Sequence, residues 1–196
     1  MLYTLVKGGW MMVPIVCCSL VSITIIIERL FFFRRIAVKH RAEEVIALVR
    51  HGHPSEALAI SEEALLPVMR VLSAGLTHPQ EPSGAMEASG VTEVSLMRRG
   101  LPALDTIITL SPLLGLLGTI IGMINSFNIM AASGLGQPHA VTGGVAEALV
   151  CTASGIAVAV ITLIPYNYFL SKIERQAEGI EAYATRLEMA LAKDKP

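Results

Sequence analysis

The residues in this sequence that could do chemistry are small, mostly uncharged, and spaced like one side of a helix. Ser111, Gly115, Gly118, Thr119, Gly122, Asn125 and Ser126 lie along one side of one stretch. On a second stretch, Glu147, Cys151, Ser154, Gly155 and Thr162 trace a face, with Thr152 and Ala159 beside it. Two kinds of chemistry fit such rows. A hydroxyl offers one donor and two acceptor lone pairs, so hydroxyls with water can pass a small cation and avoid the fixed charge that would trap it. The same residues also let helices approach closely in lipid, and Gly118 and Gly122 form a GxxxG pair of that kind. Glu147 reads in two ways as well. It is either a carboxylate near a helix start, favoured by the helix dipole, or an ionisable group at the mouth of an ion pathway.

The elements that must hold these residues are set by the distribution of charge. Of the 196 residues, 53% are hydrophobic and only 16% are charged, against about a quarter in soluble domains. The charges are segregated: residues 8–27, 106–146 and 148–171 contain no Asp, Glu, Lys or Arg. Glu147 is therefore the single formal charge between Thr106 and Ser171. About 20 apolar residues in a helix cross a hydrocarbon core of roughly 30 Å, which predicts transmembrane helices over residues 9–31, 106–131 and 145–170. The expected class is an all-α membrane protein, with a short turn over 132–144 (SGLGQPHAVTGG within it) between the last two spans. The first run is too long for a signal-peptide core and is followed by Phe31, Phe32, Phe33, Arg34 and Arg35, so it reads as a retained helix.

Basic residues near the helix ends predict the orientation. Lys7 alone precedes the first span, whereas Arg29, Arg34, Arg35, Lys39 and Arg41 follow it. Arg98 and Arg99 precede the second span, and Lys172 and Arg175 follow the third. The positive-inside rule then places residues 1–8 and the 132–144 turn in the periplasm, and residues 32–100 and 171–196 in the cytoplasm. The cytoplasmic part reads as helical. An apolar stripe through Ala42, Val45, Leu48 and Val49 stops at Gly52 and Pro54, and Ser61 is a candidate N-cap with Glu62 and Glu63 behind it. Residues 77–84 read as a loop, after which a helix from about Ala85 is expected to run directly into the second span, bending at Pro102 and Pro112. Ile173, Ala177, Ile180, Ala184, Leu187 and Leu191 extend the third helix well beyond the bilayer. The second and third helices thus continue as long helices into a cytoplasmic helical bundle.

Several functions find no support. Fifteen Lys and Arg against sixteen Asp and Glu make no basic surface for nucleic acid. Cys17, Cys18 and Cys151 fall in membrane runs without metal spacing, and His51 and His53 lack a partner cluster. No nucleophile, metal or phosphate-loop motif is present, so the chain is not read as an enzyme and is expected to need no cofactor.

The stretch Ser111-Pro-Leu-Leu-Gly-Leu-Leu-Gly-Thr-Ile-Ile-Gly-Met123, followed by Asn125-Ser-Phe127, resembles the second membrane helix of the MotA/TolQ/ExbB proton-channel family. Gly143-Gly-Val-Ala-Glu-Ala-Leu-Val-Cys-Thr-Ala-Ser-Gly-Ile-Ala-Val-Ala159, with Pro165-Tyr-Asn167, resembles its third. Three spans, not four, place the chain with the ExbB and TolQ branch. The resemblance implies a homopentamer in the bacterial inner membrane around a pair of single helices from an ExbD- or TolR-like partner carrying an aspartate. Proton flow would then power a TonB- or TolA-like protein. By motif position, Thr119 and Thr152 match the family's pore threonines, and Glu147 matches its third-helix glutamate. Ser111, Gly115, Gly118, Gly122, Ser154 and Gly155 stand beside them as pore-face or packing residues. The main functional expectation is an ExbB-like stator energising TonB-dependent transport. The alternatives are a TolQ-type subunit of the Tol-Pal system and a non-conducting membrane scaffold.

Overall fold

The structure is a computed structural model that describes residues 10–35, 40–63, 66–133 and 138–192. The 1–8 segment and residues 134–137 of the expected turn lie outside the described residues. Everything regular among the described residues is α-helix: α1 (Met12–Arg35), α2 (His40–Arg50), α3 (Pro54–Glu63), α4 (Pro67–Thr77), α5 (Pro82–Arg98), α6 (Leu101–Ser133) and α7 (Pro138–Ala192). Three helical stretches are long and apolar enough to cross a membrane: Met12–Arg34, Pro82–Ala131 and Thr142–Ala192.

Proline sets several boundaries differently from the sequence expectation. Helices α3, α4, α5 and α7 all begin with Pro, whose missing N–H costs nothing in a first turn and whose φ already suits a helix. Hence α5 starts at Pro82 ahead of Ala85, and α7 starts at Pro138, seven residues before the expected 145. Ser61 is not an N-cap. It lies inside α3, 1% exposed, with its hydroxyl donating to the Leu58 carbonyl at 2.7 Å, while α4 takes Leu66 as its cap residue. The expected continuous helix through residue 100 is interrupted: Gly100 adopts φ +82°, a left-handed conformation that glycine reaches without Cβ strain, and it separates α5 from α6. Pro102 then falls in the first turn of α6, and Pro112 alone lies inside that helix.

The chain forms two compact units, one of Met1–Glu28 with Gly100–Tyr168 and one of Arg29–Arg99 with Phe169–Pro196. In the second, α2 buries Ala42, Val45, Ile46 and Val49, α4 buries Met69, Val71 and Leu72, and the end of α7 contributes Phe169, Ile173, Ile180 and Leu187. These last residues follow one another at spacings of four, seven and seven, the expected stripe for one buried face. Phe33 stacks on Phe169 with ring centroids 5.6 Å apart. Polar ties sit at its margin. Arg70 meets Glu93 at 3.1 Å, and Arg186 forks onto both Glu43 oxygens at 2.7 and 2.6 Å.

The other unit packs the spanning parts of α1, α6 and α7. Its buried row on α6 is Leu104, Ile107, Ser111, Gly115, Gly118 and Ser126, and on α7 it is Ala148, Cys151, Gly155, Ala159 and Thr162. Most residues that face outward are large and apolar, such as Leu113, Leu116, Ile120, Leu149, Ile156 and Ile161. This inverts the soluble pattern, as a hydrocarbon solvent requires.

Candidate functional site

The seam between α6 and α7 is built from small residues because nothing larger fits. A Cβ on Gly115 would stand 3.0 Å from the Thr152 Cα, one on Gly122 would stand 2.9 Å from the Ala148 Cβ, and one on Gly118 would meet the Cys151 side chain. A Cβ on Gly155 would run into the Ser111 carbonyl and lie 3.2 Å from the Gly115 backbone. Gly144 faces Ser126 in the same way. Residue numbers rise on one helix as they fall on the other, so the pair is antiparallel, with Gly115 level with Thr152 and Gly122 level with Ala148. With backbones this close, Thr152 Oγ1 donates to the Gly115 carbonyl at 2.9 Å, a helix-to-helix hydrogen bond.

The remaining hydroxyls turn to their own helices. Thr119 donates to the Leu116 carbonyl at 2.6 Å, Ser126 to Gly122 at 2.9 Å, Ser154 to Val150 at 2.8 Å, and Thr162 to Val158 at 2.7 Å. Ser111 differs: it is fully buried and its Oγ has no hydrogen-bond partner. Beside it, Pro112 supplies no N–H, so the Ile108 carbonyl loses its usual helical partner. Thr119 and Thr152 have each committed their one donor to a carbonyl, leaving acceptor lone pairs.

Helix α1 distinguishes the two edges of the seam. Met12 and Ile15 pack with Cys151, and Met11, Leu114 and Val158 pack against that cluster. Leu114 and Val158 each immediately precede a buried seam residue, Gly115 and Ala159. In an antiparallel pair, the residues just before the buried rows of both helices lie on one edge, and those just after lie on the other. Thr119 follows Gly118 and Thr152 follows Cys151, so the two threonines share the edge opposite α1, and both are partly exposed there. Ser154 and Glu147 precede Gly155 and Ala148, so they belong to the α1 edge. Glu147 is exposed. It and Thr152 are five positions apart, about 140° around a helix, so the structure unites Thr119 with Thr152 and does not join Glu147 to them.

The early start of α7 also changes the reading of Glu147. It is more than two turns inside the helix, and the dipole's influence falls off within the first turn, so a stabilised terminal carboxylate no longer describes it. Ser111, Gly115, Gly118 and Gly155 are buried in the seam, Gly122 is half-buried within it, and Ser154 is half-buried beside it. Sequence spacing does not single out Asp105, which is exposed near the start of α6. Its signal was available: Asp105 and Glu147 are the only carboxylates between Glu93 and Glu174. Among the described residues, no cluster of three or more His, Cys, Asp or Glu could hold a metal ion.

Known proteins share this arrangement of sequence. The biopolymer transport protein ExbB-like 3 of Synechocystis sp. is 35% identical over 96% of this chain and 95% of its own length. ExbB-like 1 of the same organism is 33% identical over 93% of this chain and 76% of its own. The Tol-Pal system protein TolQ of Pseudomonas aeruginosa matches a shorter part, 37% identical over 46% of this chain and 39% of its own. Residues 59–182 fit the sequence profile of the MotA/TolQ/ExbB proton channel family. That span takes in the whole small-residue seam with both threonines, and with it the chain belongs to the MotA/TolQ/ExbB proton channel family, in its ExbB/TolQ branch.

Proposed function

We propose that this protein is the stator subunit of a proton-driven motor in the bacterial inner membrane. Five copies surround a pair of single helices from an ExbD- or TolR-like partner, and the assembly energises TonB-dependent transport across the outer membrane. One observation carries this reading: the α6–α7 pair presents its two threonines on the edge that α1 leaves uncovered, within 66 residues that hold a single formal charge. A packing-only scaffold accounts for the seam glycines and for the Thr152–Gly115 hydrogen bond, but it gives no reason for a second hydroxyl, that of Thr119, on the same uncovered edge.

The geometry supports a specific role for the two threonines. Their donors are taken by Gly115 and Leu116, so what they offer a partner is lone pairs. Lone pairs accept a hydrogen bond from a protonated carboxyl or a hydrated proton and do nothing for a bare carboxylate. Thr119 and Thr152 therefore favour the partner aspartate in its proton-loaded, neutral form, the form that can turn through hydrocarbon at low cost. One elementary charge crossing 100 mV releases about 2.3 kcal/mol, and several such steps supply useful work.

The test is co-purification. A tagged chain taken from its own membrane should bring down a one-helix protein with an aspartate in that helix, and native mass spectrometry should count five copies of this chain. Recovery of a monomer without such a partner would sink the proposal. The TolQ role is the second reading, supported by the Pseudomonas relative. Co-purification of a TolA-like rather than a TonB-like protein would select it.

A further inference from the structure

The edge opposite α1 continues beyond the threonines. On α6, positions 105, 109, 112, 116 and 119 recur at spacings of four, three, four and three, one row along one edge. The row holds Asp105, Thr109, Pro112, Leu116 and Thr119, and Asp105 and Thr109 are both exposed. Thr109 donates to the backbone of Asp105 and Thr106 at 3.2 and 3.0 Å, so it too keeps acceptor lone pairs facing outward. Pro112 frees the Ile108 carbonyl beside the same row. At the corresponding end of α7, Asn167 is exposed.

The register shows why this matters. Thr152 is level with Gly115, so Asp105 lies ten residues, about 15 Å, further toward the Leu101 end of α6. Glu147 is level with about Gly122, some 25 Å from Asp105 along the pair. A proton set free at the threonines thus still has half the hydrocarbon to cross. Along that distance the uncovered edge of α6 offers one carboxylate, one hydroxyl and one freed carbonyl.

We propose that Asp105 is the inner relay of the ion path: its carboxylate takes the proton coming from the Thr119–Thr152 level, through water held at Thr109 and the Ile108 carbonyl. It then returns that proton to water at the Leu101 end of α6. No bond other than O–H is made or broken, and the carboxylate is regenerated in each cycle. The assignment rests on the proton-driven reading above and adds a residue to it.

The test uses the complex purified from its own membrane through a tag on this chain and reconstituted in liposomes. A pH step across the membrane drives flux, and a trapped pH dye reports it. Asp105→Asn should lower proton flux at least tenfold, with the pentamer and its co-purified partner intact by native mass spectrometry. Asp105→Glu should restore most of the flux. At a fixed pH difference, the remaining flux of Asp105→Asn should also lose its dependence on the absolute pH at the inner face, which a merely structural role for Asp105 would leave in place. Wild-type flux from an assembled Asp105→Asn complex would overturn the relay and leave the stator reading standing. An Asp105→Asn complex that fails to assemble would overturn it too, because Asp105 would then be a structural residue. Absence of flux from the wild-type complex would overturn the stator reading, and the relay with it.

Discussion

Two glycines on one helix make the sharpest test of the seam. Gly155→Ala places a methyl against the Ser111 carbonyl and 3.2 Å from the Gly115 Cα and N, whereas carbon atoms rest about 3.5–4.0 Å apart. The obstacles are backbone atoms, so no side chain can swing aside, and the helices must part. Such overpacking costs about 1–3 kcal/mol. Parting also stretches the 2.9 Å Thr152–Gly115 bond, worth about 0.6–1.7 kcal/mol within a membrane. Against these, Ala gains about 1 kcal/mol over Gly in helix propensity, leaving a net loss of about 0.6–3.7 kcal/mol. Gly143→Ala makes the same chemical change on the same helix with nothing within 4 Å, so it should be neutral or stabilise by up to about 1 kcal/mol. Unfolding in mixed micelles of rising SDS content measures both. A cycle with Thr152→Val should show the double variant less destabilised than the two single changes added together, because the parted helices have already lost the bond. If Gly155→Ala unfolds no more readily than Gly143→Ala, the close seam is wrong.

Three further outcomes are expected. Thr152→Ala should assemble normally, because one membrane hydrogen bond of about 0.6–1.7 kcal/mol does not hold the helix, yet it should lose most gradient-driven transport while Thr152→Ser keeps it; full activity in the alanine variant would return Thr152 to packing alone. The hydrogen bonds from Arg186 hold the Glu43 carboxyl below its ordinary value of 4.5, so its contribution to stability is present above that value and is lost as pH falls through the depressed folded value. Glu43→Gln should therefore lower the melting temperature slightly at neutral pH, with the difference closing in acid; a constant difference across the acid range would count against the pair. With the orientation predicted from Lys and Arg, Trp10→Cys should react with an impermeant thiol reagent from the periplasm and His51→Cys only from the cytoplasm, and the reverse pattern would invert the topology.

Much of this molecule is legible in its sequence, for one physical reason. A charge in hydrocarbon is so costly that runs of uncharged residues mark the membrane helices directly, and small residues at helical spacing mark where two of them touch. The three spans, the seam glycines and the family all follow from such local patterns. What spacing cannot tell is which neighbour occupies a given direction around a helix. Thr119, Thr152 and Glu147 look equivalent along the chain. Only the packing of Met12 and Ile15 against Cys151 reveals that α1 lies along the edge to which Glu147 belongs and leaves the threonine edge uncovered. Likewise, the break at Gly100 depends on a left-handed backbone that many glycines could adopt and few do. The commitment of Thr152's donor to Gly115 requires two segments 37 residues apart to meet in one register. The α1 contact and the Thr152–Gly115 bond are long-range contacts, chosen by the total packing of three helices, and no single stretch of sequence carries them.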